Sequence, residues 1–214
     1  MREHITFPCG DIQLEGCWHF PDSPAGPTPA VVVCHPHSLH GGSMSNNVVF
    51  DICEALAQRR VAALRFNFRG VRGSGGTYGE GIGEREDIRS ALAVVLAEAR
   101  VEREKIGLAG YSFGAGVAMS VAVQDDTVKV LALVSPAADE SGWEQLKAYS
   151  RPLFVISGEH DFLMSPEQAR QYIGNNTGMR KYEAVSGADH FWEGYEAMVA
   201  QKVADFLVTA FKDT

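Results

Sequence analysis

Lys105-Ile106-Gly107-Leu108-Ala109-Gly110-Tyr111-Ser112-Phe113-Gly114-Ala115-Gly116 is the stretch that decides the fold. A short apolar run passes through Gly110-x-Ser112-x-Gly114 into a segment of small residues with helical spacing, so a strand turns sharply into a helix. This is the nucleophile-elbow pattern. Both glycines are needed because the turn brings neighbouring backbone too close for a β-carbon, while its strain lifts the Ser112 hydroxyl into the open. The pentapeptide alone is only moderately specific. A serine capping a helix or closing a tight turn carries no chemistry, so the surroundings must decide.

Working outward, apolar runs at 31–35, 61–68, 105–110, 128–135, 153–158 and 180–185 are short, continuous and bounded by Gly, Pro or Ser. Continuous rather than alternating runs suit strands covered on both faces. Between them lie helical spacings at Val48, Ile52 and Leu56, at Ile88, Leu92, Val95 and Leu96, and at Val117 and Val121. A last helix carries Met198, Val199, Phe206 and Leu207. Strand alternating with helix predicts an α/β fold with a mostly parallel sheet and helices on both faces. Ahead of it, 5–9 and 12–20 look extended and meet at Gly10-Asp11, which predicts an N-terminal antiparallel hairpin. A Pro-rich link at 21–29 follows. Without an internal repeat or a second linker, residues 1–214 form one expected domain. Seven of the 22 glycines fall within 70–83, directly after a strand, and predict a long loop beside the site.

Composition narrows the function. Lys and Arg total 19 against 27 Asp and Glu, a formal charge of −8, which argues against a nucleic-acid partner or an electrostatic anchor to anionic lipid. No basic-then-apolar leader opens the chain, and no apolar stretch approaches the roughly 20 residues of a membrane span. A cytoplasmic location is therefore expected. Cys9, Cys17, Cys34 and Cys53 form no CxxC pair and read as reduced, buried thiols.

A serine nucleophile needs a base, and the base needs an acid to orient it. In the predicted fold these follow in the order Ser, Asp or Glu, His, on loops after later strands. The run Leu153-Phe154-Val155-Ile156-Ser157-Gly158-Glu159-His160-Asp161 supplies Asp161 after a strand. The run Tyr182-Glu183-Ala184-Val185-Ser186-Gly187-Ala188-Asp189-His190 supplies His190 before the last helix. Glu159, His160 and Asp189 compete for these roles on spacing alone. Taken singly, Asp161 reads equally well as a cap for the helix near Pro166, and His190 as a helix-start residue.

With these residues the chain resembles an α/β-hydrolase, in particular the small lidless group of dienelactone-hydrolase-like and prolyl-oligopeptidase-like hydrolases. The resemblance spans nearly the whole chain. It rests on Cys34-His35-Pro36-His37, Arg65-Phe66-Asn67-Phe68-Arg69-Gly70-Val71-Arg72-Gly73-Ser74-Gly75-Gly76, Gly110-Tyr111-Ser112-Phe113-Gly114, Gly158-Glu159-His160-Asp161 and Gly187-Ala188-Asp189-His190. It implies Ser112 as nucleophile, Asp161 as acid and His190 as base. It also implies backbone N–H donors to the oxyanion at His37, with Ser38 as the alternative, and at Phe113. Dienelactone hydrolases resemble this fold but use Cys where this chain has Ser112, so lactone activity is not implied. Only residues 136–151 separate the sixth strand region from the next strand, room for one short helix around Trp143 and no large lid.

His35, His37 and His40 approach the metallo-β-lactamase pattern HxHxDH, but Leu39 stands where that pattern needs Asp. No Gly-Lys dipeptide exists for a phosphate-binding loop. Arg69 and Arg72 suit a substrate carboxylate or a structural ion pair. Leu39, Met44, Tyr78, Trp143, Met164, Phe191 and Trp192 are the candidates for an apolar acyl pocket. The expected activity is acyl transfer from small soluble carboxylic esters, which requires no metal or organic cofactor. Peptides, thioesters and amides share that chemistry, and a non-catalytic small-molecule binder is the alternative class. A second copy of the chain is the one macromolecular partner left open.

Overall fold

Gly10 and Asp11 form a two-residue turn between β1 (Arg2–Cys9) and β2 (Ile12–His19), which pair antiparallel from Arg2↔His19 to Cys9↔Ile12. Gly10 takes φ +56° at the first central position, where type II′ hairpin turns place glycine. The computed structural model describes residues 1–22, 24–174 and 179–213. The further strands are β3 (Thr28–Cys34), β4 (Ala62–Phe66), β5 (Val101–Tyr111), β6 (Val128–Val134), β7 (Leu153–His160) and β8 (Arg180–Asp189). All eight join one sheet in the order β1-β2-β4-β3-β5-β6-β7-β8. β3 to β8 run parallel, and β2 pairs antiparallel with β4.

Alternation along the strands divides the core. Val32, Cys34, Leu108, Leu131, Leu133 and Val155 face one apolar cluster, while Val31, Val33, Ala109, Val130, Ala132 and Phe154 face the other. The first is covered by α2 (Gly83–Ala97), α3 (Phe113–Ala122), α4 (Glu140–Lys147) and α5 (Pro166–Ile173). The second is covered by α1 (Asn47–Gln58) and α6 (Glu196–Lys212). Val199, Val203 and Leu207 of α6 recur at i, i+4 and i+8 and meet Val48, Val49, Ile52 and Leu56 of α1, as one apolar stripe against another. No helix is long and apolar enough to cross a membrane among the described residues. Cys9, Cys17, Cys34 and Cys53 are free and buried.

Two strands run further than their apolar cores. β5 begins at Val101, through the charged Glu102, Arg103 and Glu104, because Val101 pairs with Thr28 across a register shift. β8 continues to Asp189 because the pairing with β7 resumes at His160↔Asp189 after an irregularity, where Gly187 takes φ +77°. Ladder pairing, which apolar periodicity does not report, sets both ends.

From β3 the sheet grows in one direction through β4 and in the other through β5. Neighbouring connections therefore diverge at the carboxyl ends of β3 and β5 and leave a crevice there, where ligands of open α/β sheets bind. The β6–β7 connection holds α4, of 8 residues, and no large lid.

Candidate active site

The elbow is built at the end of β5. Ser112 has φ 54° and ψ −118° and directly precedes α3, a strained conformation for a side chain with a β-carbon. A β-carbon on Gly110 would lie 2.5 Å from the Gly114 carbonyl oxygen, and one on Gly114 would lie 2.3 Å from the His35 carbonyl oxygen. The glycines are thus required by close backbone approach from both sides of the turn. The Ser112 N–H donates to the Val134 carbonyl at 2.9 Å, which ties the elbow to β6.

Ser112, Asp161 and His190 meet, each less than a tenth exposed. Ser112 Oγ lies 2.9 Å from His190 Nε2, and His190 Nδ1 lies 3.0 and 3.2 Å from the two oxygens of Asp161. Asp161 also accepts from the Leu163 N–H at 2.9 Å. Burial pushes the Asp161 carboxyl up, but the bonds from His190 and Leu163 outweigh it and hold the group below its ordinary value. It is thus held as a carboxylate, and its bond to Nδ1 leaves Nε2 as the acceptor facing Ser112. The Tyr111 hydroxyl donates to the His190 carbonyl at 2.8 Å and fixes that backbone. The competitors lie elsewhere: Glu159 accepts from Ser186 and Gly187, Asp189 caps the Phe191 N–H, and His160 is exposed.

The loop after β3 supplies the facing wall. His35 is fully buried, 2.6 Å through Nδ1 from the Pro36 carbonyl, and accepts from the Phe68 N–H through Nε2 at 3.0 Å. An N–H donor on Nε2 identifies the other nitrogen as the protonated one. His35 therefore holds the carbonyl of the Pro36–His37 peptide, and the His37 N–H points the opposite way because the peptide is trans. Met44 closes the loop, its N–H donating to Asn67 Oδ1 at 2.7 Å and its carbonyl accepting from Arg65 at 2.7 Å. The His37 and Phe113 rings lie 4.9 Å apart, and Phe113 opens α3, so its N–H has no partner within the helix. Both ring nitrogens of His35 are engaged, and among the described residues no cluster of three His, Cys, Asp or Glu is arranged to hold a metal ion.

A cavity of about 600 Å³ opens on Ser112 and His190. His37 and Phe113 line one part of it, and Phe162, Leu163 and Phe191 another. Phe162 packs 4.9 Å from the His190 ring yet is 66% exposed, so it forms part of the rim. Of the pocket candidates, Phe191 lines this cavity. Tyr78 stands beside it, its hydroxyl 3.2 Å from His37 Nε2, and Leu39 is exposed on the 3₁₀ turn Ser38–His40. Met44, Trp143, Met164 and Trp192 are corrected: all four are buried and none lines the cavity. Trp143 stacks on Tyr172 between α4 and α5, and Trp192 packs in the α1/α6 cluster. Large apolar side chains near a motif are drawn into the core as readily as into a pocket. Phe162 and Leu163 were legible only as the residues following Asp161. Arg69 is committed to the buried Asp87 at 2.7 Å, so its guanidinium is structural.

Comparison with known proteins agrees with this geometry. A family model described as an alpha/beta hydrolase domain matches residues 29–205. An uncharacterized protein of Rickettsia prowazekii is 28% identical over 213 residues, covering 96% of this chain and 88% of that protein. Among solved structures, an alpha-beta serine hydrolase homologue from Coxiella burnetii is 31% identical with a TM-score of 0.84, covering 95% of this chain and 96% of that one. A serine hydrolase without lid from Xanthomonas campestris is 27% identical with a TM-score of 0.79, covering 96% and 93%.

Proposed function

The chain belongs to the α/β-hydrolase family, and from that premise we propose that it is a serine hydrolase acting by acyl-enzyme chemistry on small, uncharged carboxylic esters. The observation that carries this is the buried relay in which Ser112 Oγ lies 2.9 Å from His190 Nε2 while Asp161 lies 3.0 Å from the other ring nitrogen. In the proposed mechanism His190 takes the Ser112 proton as Oγ attacks the ester carbonyl, and Asp161 stabilises the imidazolium that forms. The His37 and Phe113 N–H groups receive the developing oxyanion. His190 then protonates the leaving alcohol, and water, deprotonated by His190, releases the acid from Ser112.

The preference for uncharged esters is supported by the lining. Among the described residues no lysine or arginine lines the cavity, and Phe162, Leu163 and Phe191 offer apolar surface. A panel of p-nitrophenyl esters ordered by acyl length, with matched thioester, anilide and peptide substrates, tests the class. Ester hydrolysis is expected to dominate and to fall by at least about 10⁴-fold in Ser112→Ala. Undiminished turnover in that variant, or no labelling of folded protein at Ser112 by a fluorophosphonate, would overturn the assignment.

A further inference from the structure

Phe162 and Phe191 are large and apolar, yet they are 66% and 65% exposed. Their rings lie 5.7 Å apart, and they pack on the His190 ring at 4.9 and 5.8 Å respectively. Two exposed aromatic rings set against the base of a buried relay mark an interaction site. The turns that carry the acid and the base hold them there. Phe162 lies between Asp161 and Leu163, and the Leu163 N–H donates to Asp161 Oδ1 at 2.9 Å. The Phe191 N–H donates to Asp189 Oδ1 at 2.8 Å. The next residue, Trp192, is fully buried, with its indole N–H on Ser135 Oγ at 2.9 Å.

Acyl transfer decides which part of an ester these rings meet. His190 Nε2, 2.9 Å from Ser112 Oγ, takes the proton of that hydroxyl and returns it to the leaving oxygen. The leaving oxygen must therefore come within hydrogen-bond reach of Nε2, and the group it carries passes beside the imidazole. Of the aromatic neighbours of that ring, Tyr111 is buried while Phe162 and Phe191 are exposed, so its open side is theirs. The oxyanion wall is separate, since the His37 ring packs on His40, Tyr78 and Phe113.

We infer that Phe162 and Phe191 form the alcohol subsite, and that the preferred substrates are esters whose alcohol carries an aryl ring. Aromatic faces and edges pair with a further ring in offset or edge-to-face geometry and gain its full apolar burial. The inference deepens the ester-hydrolase reading and rests on it.

The test measures kcat/KM, which reports the acylation step in which the alcohol leaves. One pair of substrates is 2-phenylethyl acetate and ethyl acetate. Both release a primary alcohol of similar acidity, so leaving ability does not bias their ratio. The other pair, ethyl 3-phenylpropanoate and ethyl acetate, moves the ring to the acyl side. Wild type is expected to prefer 2-phenylethyl acetate over ethyl acetate roughly 30-fold. Phe162→Ala combined with Phe191→Ala should lower that ratio about ten-fold, and each single variant by less, while the acyl ratio moves by less than about three-fold. Damage to His190 slows every substrate alike and cancels in both ratios. Both side chains are exposed, so the variants should fold, which urea unfolding checks. A wild-type alcohol ratio near one, an unchanged alcohol ratio in the double variant, or a loss at least as large in the acyl ratio would overturn the inference and leave the ester-hydrolase reading standing. No ester hydrolysis by wild type, with no fluorophosphonate labelling of Ser112, would overturn that reading and the subsite with it.

Discussion

Asp161 shows how much one side chain contributes here. Its carboxyl sits below its ordinary value because the bonds from His190 and the Leu163 N–H outweigh the cost of burial. A carboxylate depressed in the folded state adds stability at pH above its unfolded value, near 3.9, and that stability is lost as pH falls through the folded value. Asp161→Asn keeps the shape but offers Nδ1 a donor as well as an acceptor. Ester hydrolysis should fall roughly 10⁴-fold, with urea unfolding at pH 7 showing a folded protein. Wild-type rates in Asp161→Asn would remove it from the mechanism. Gly114→Ala tests the elbow: the added methyl would meet the His35 carbonyl oxygen at 2.3 Å. We expect a loss of about 3 kcal/mol or more, read from the urea midpoint. Ser112, Asp161 and His190 could be proposed as a set on chain order because each follows a strand.

At the scale of elements, the glycine-rich segment at 70–83 acquires a structure from charge. Glu84, fully buried at the start of α2, accepts from the Gly79 and Gly81 N–H groups at 2.8 Å each. Asp87, one turn on, accepts from the backbone and guanidinium of Arg69. The far side is held by Glu15 of β2, which accepts from Gly73 N–H at 2.8 Å, while Gly75 N–H reaches the Gln13 carbonyl at 2.8 Å. The loop is thereby pinned between α2 and the hairpin, and it delivers Tyr78 to His37. Glu84→Ala removes an acceptor from two N–H groups and should cost about 3 kcal/mol or more, since each bond to a charged group contributes roughly 1.5 kcal/mol or more. Hydrogen exchange at Gly79 and Gly81 should accelerate while that of β6 does not; unchanged protection would show that the loop holds without Glu84. Its place beside the site was readable from the sequence. Its anchors were not, because buried acids bonded to backbone N–H groups leave no periodic trace.

Across the whole molecule, His35 and His19 contribute to the response to acid. Burial pushes the His35 imidazole down to about 4 from an ordinary 6.5, and burial together with the nearby Arg65 lowers His19 as well. A base depressed in the folded state leaves stability intact above its unfolded value. Stability then falls as pH drops from about 6.5 towards 4, because only the unfolded chain binds the proton there. For His35 the loss is about 3 kcal/mol. Urea unfolding at pH 7, 5.5 and 4.5 should show it, and His35→Gln should flatten the slope over that interval while lowering stability at pH 7. An equal slope in wild type and variant would place the sensitivity elsewhere.

The residues alone were enough for the α/β class, the N-terminal hairpin, the elbow and the order Ser112, Asp161, His190, because each is written locally: in apolar runs, in turn glycines, or in position after a strand. Only the tertiary structure decided which aromatic side chains face the cavity. Phe162 and Phe191 reach the rim while Trp143 and Trp192 close the core, since the face a large apolar side chain takes depends on what packs opposite it. The same holds for His35 against Phe68 and for Ser135 against Trp192. Those bonds join segments far apart in the chain, and a sequence records such partners only once the sheet has brought their strand ends together.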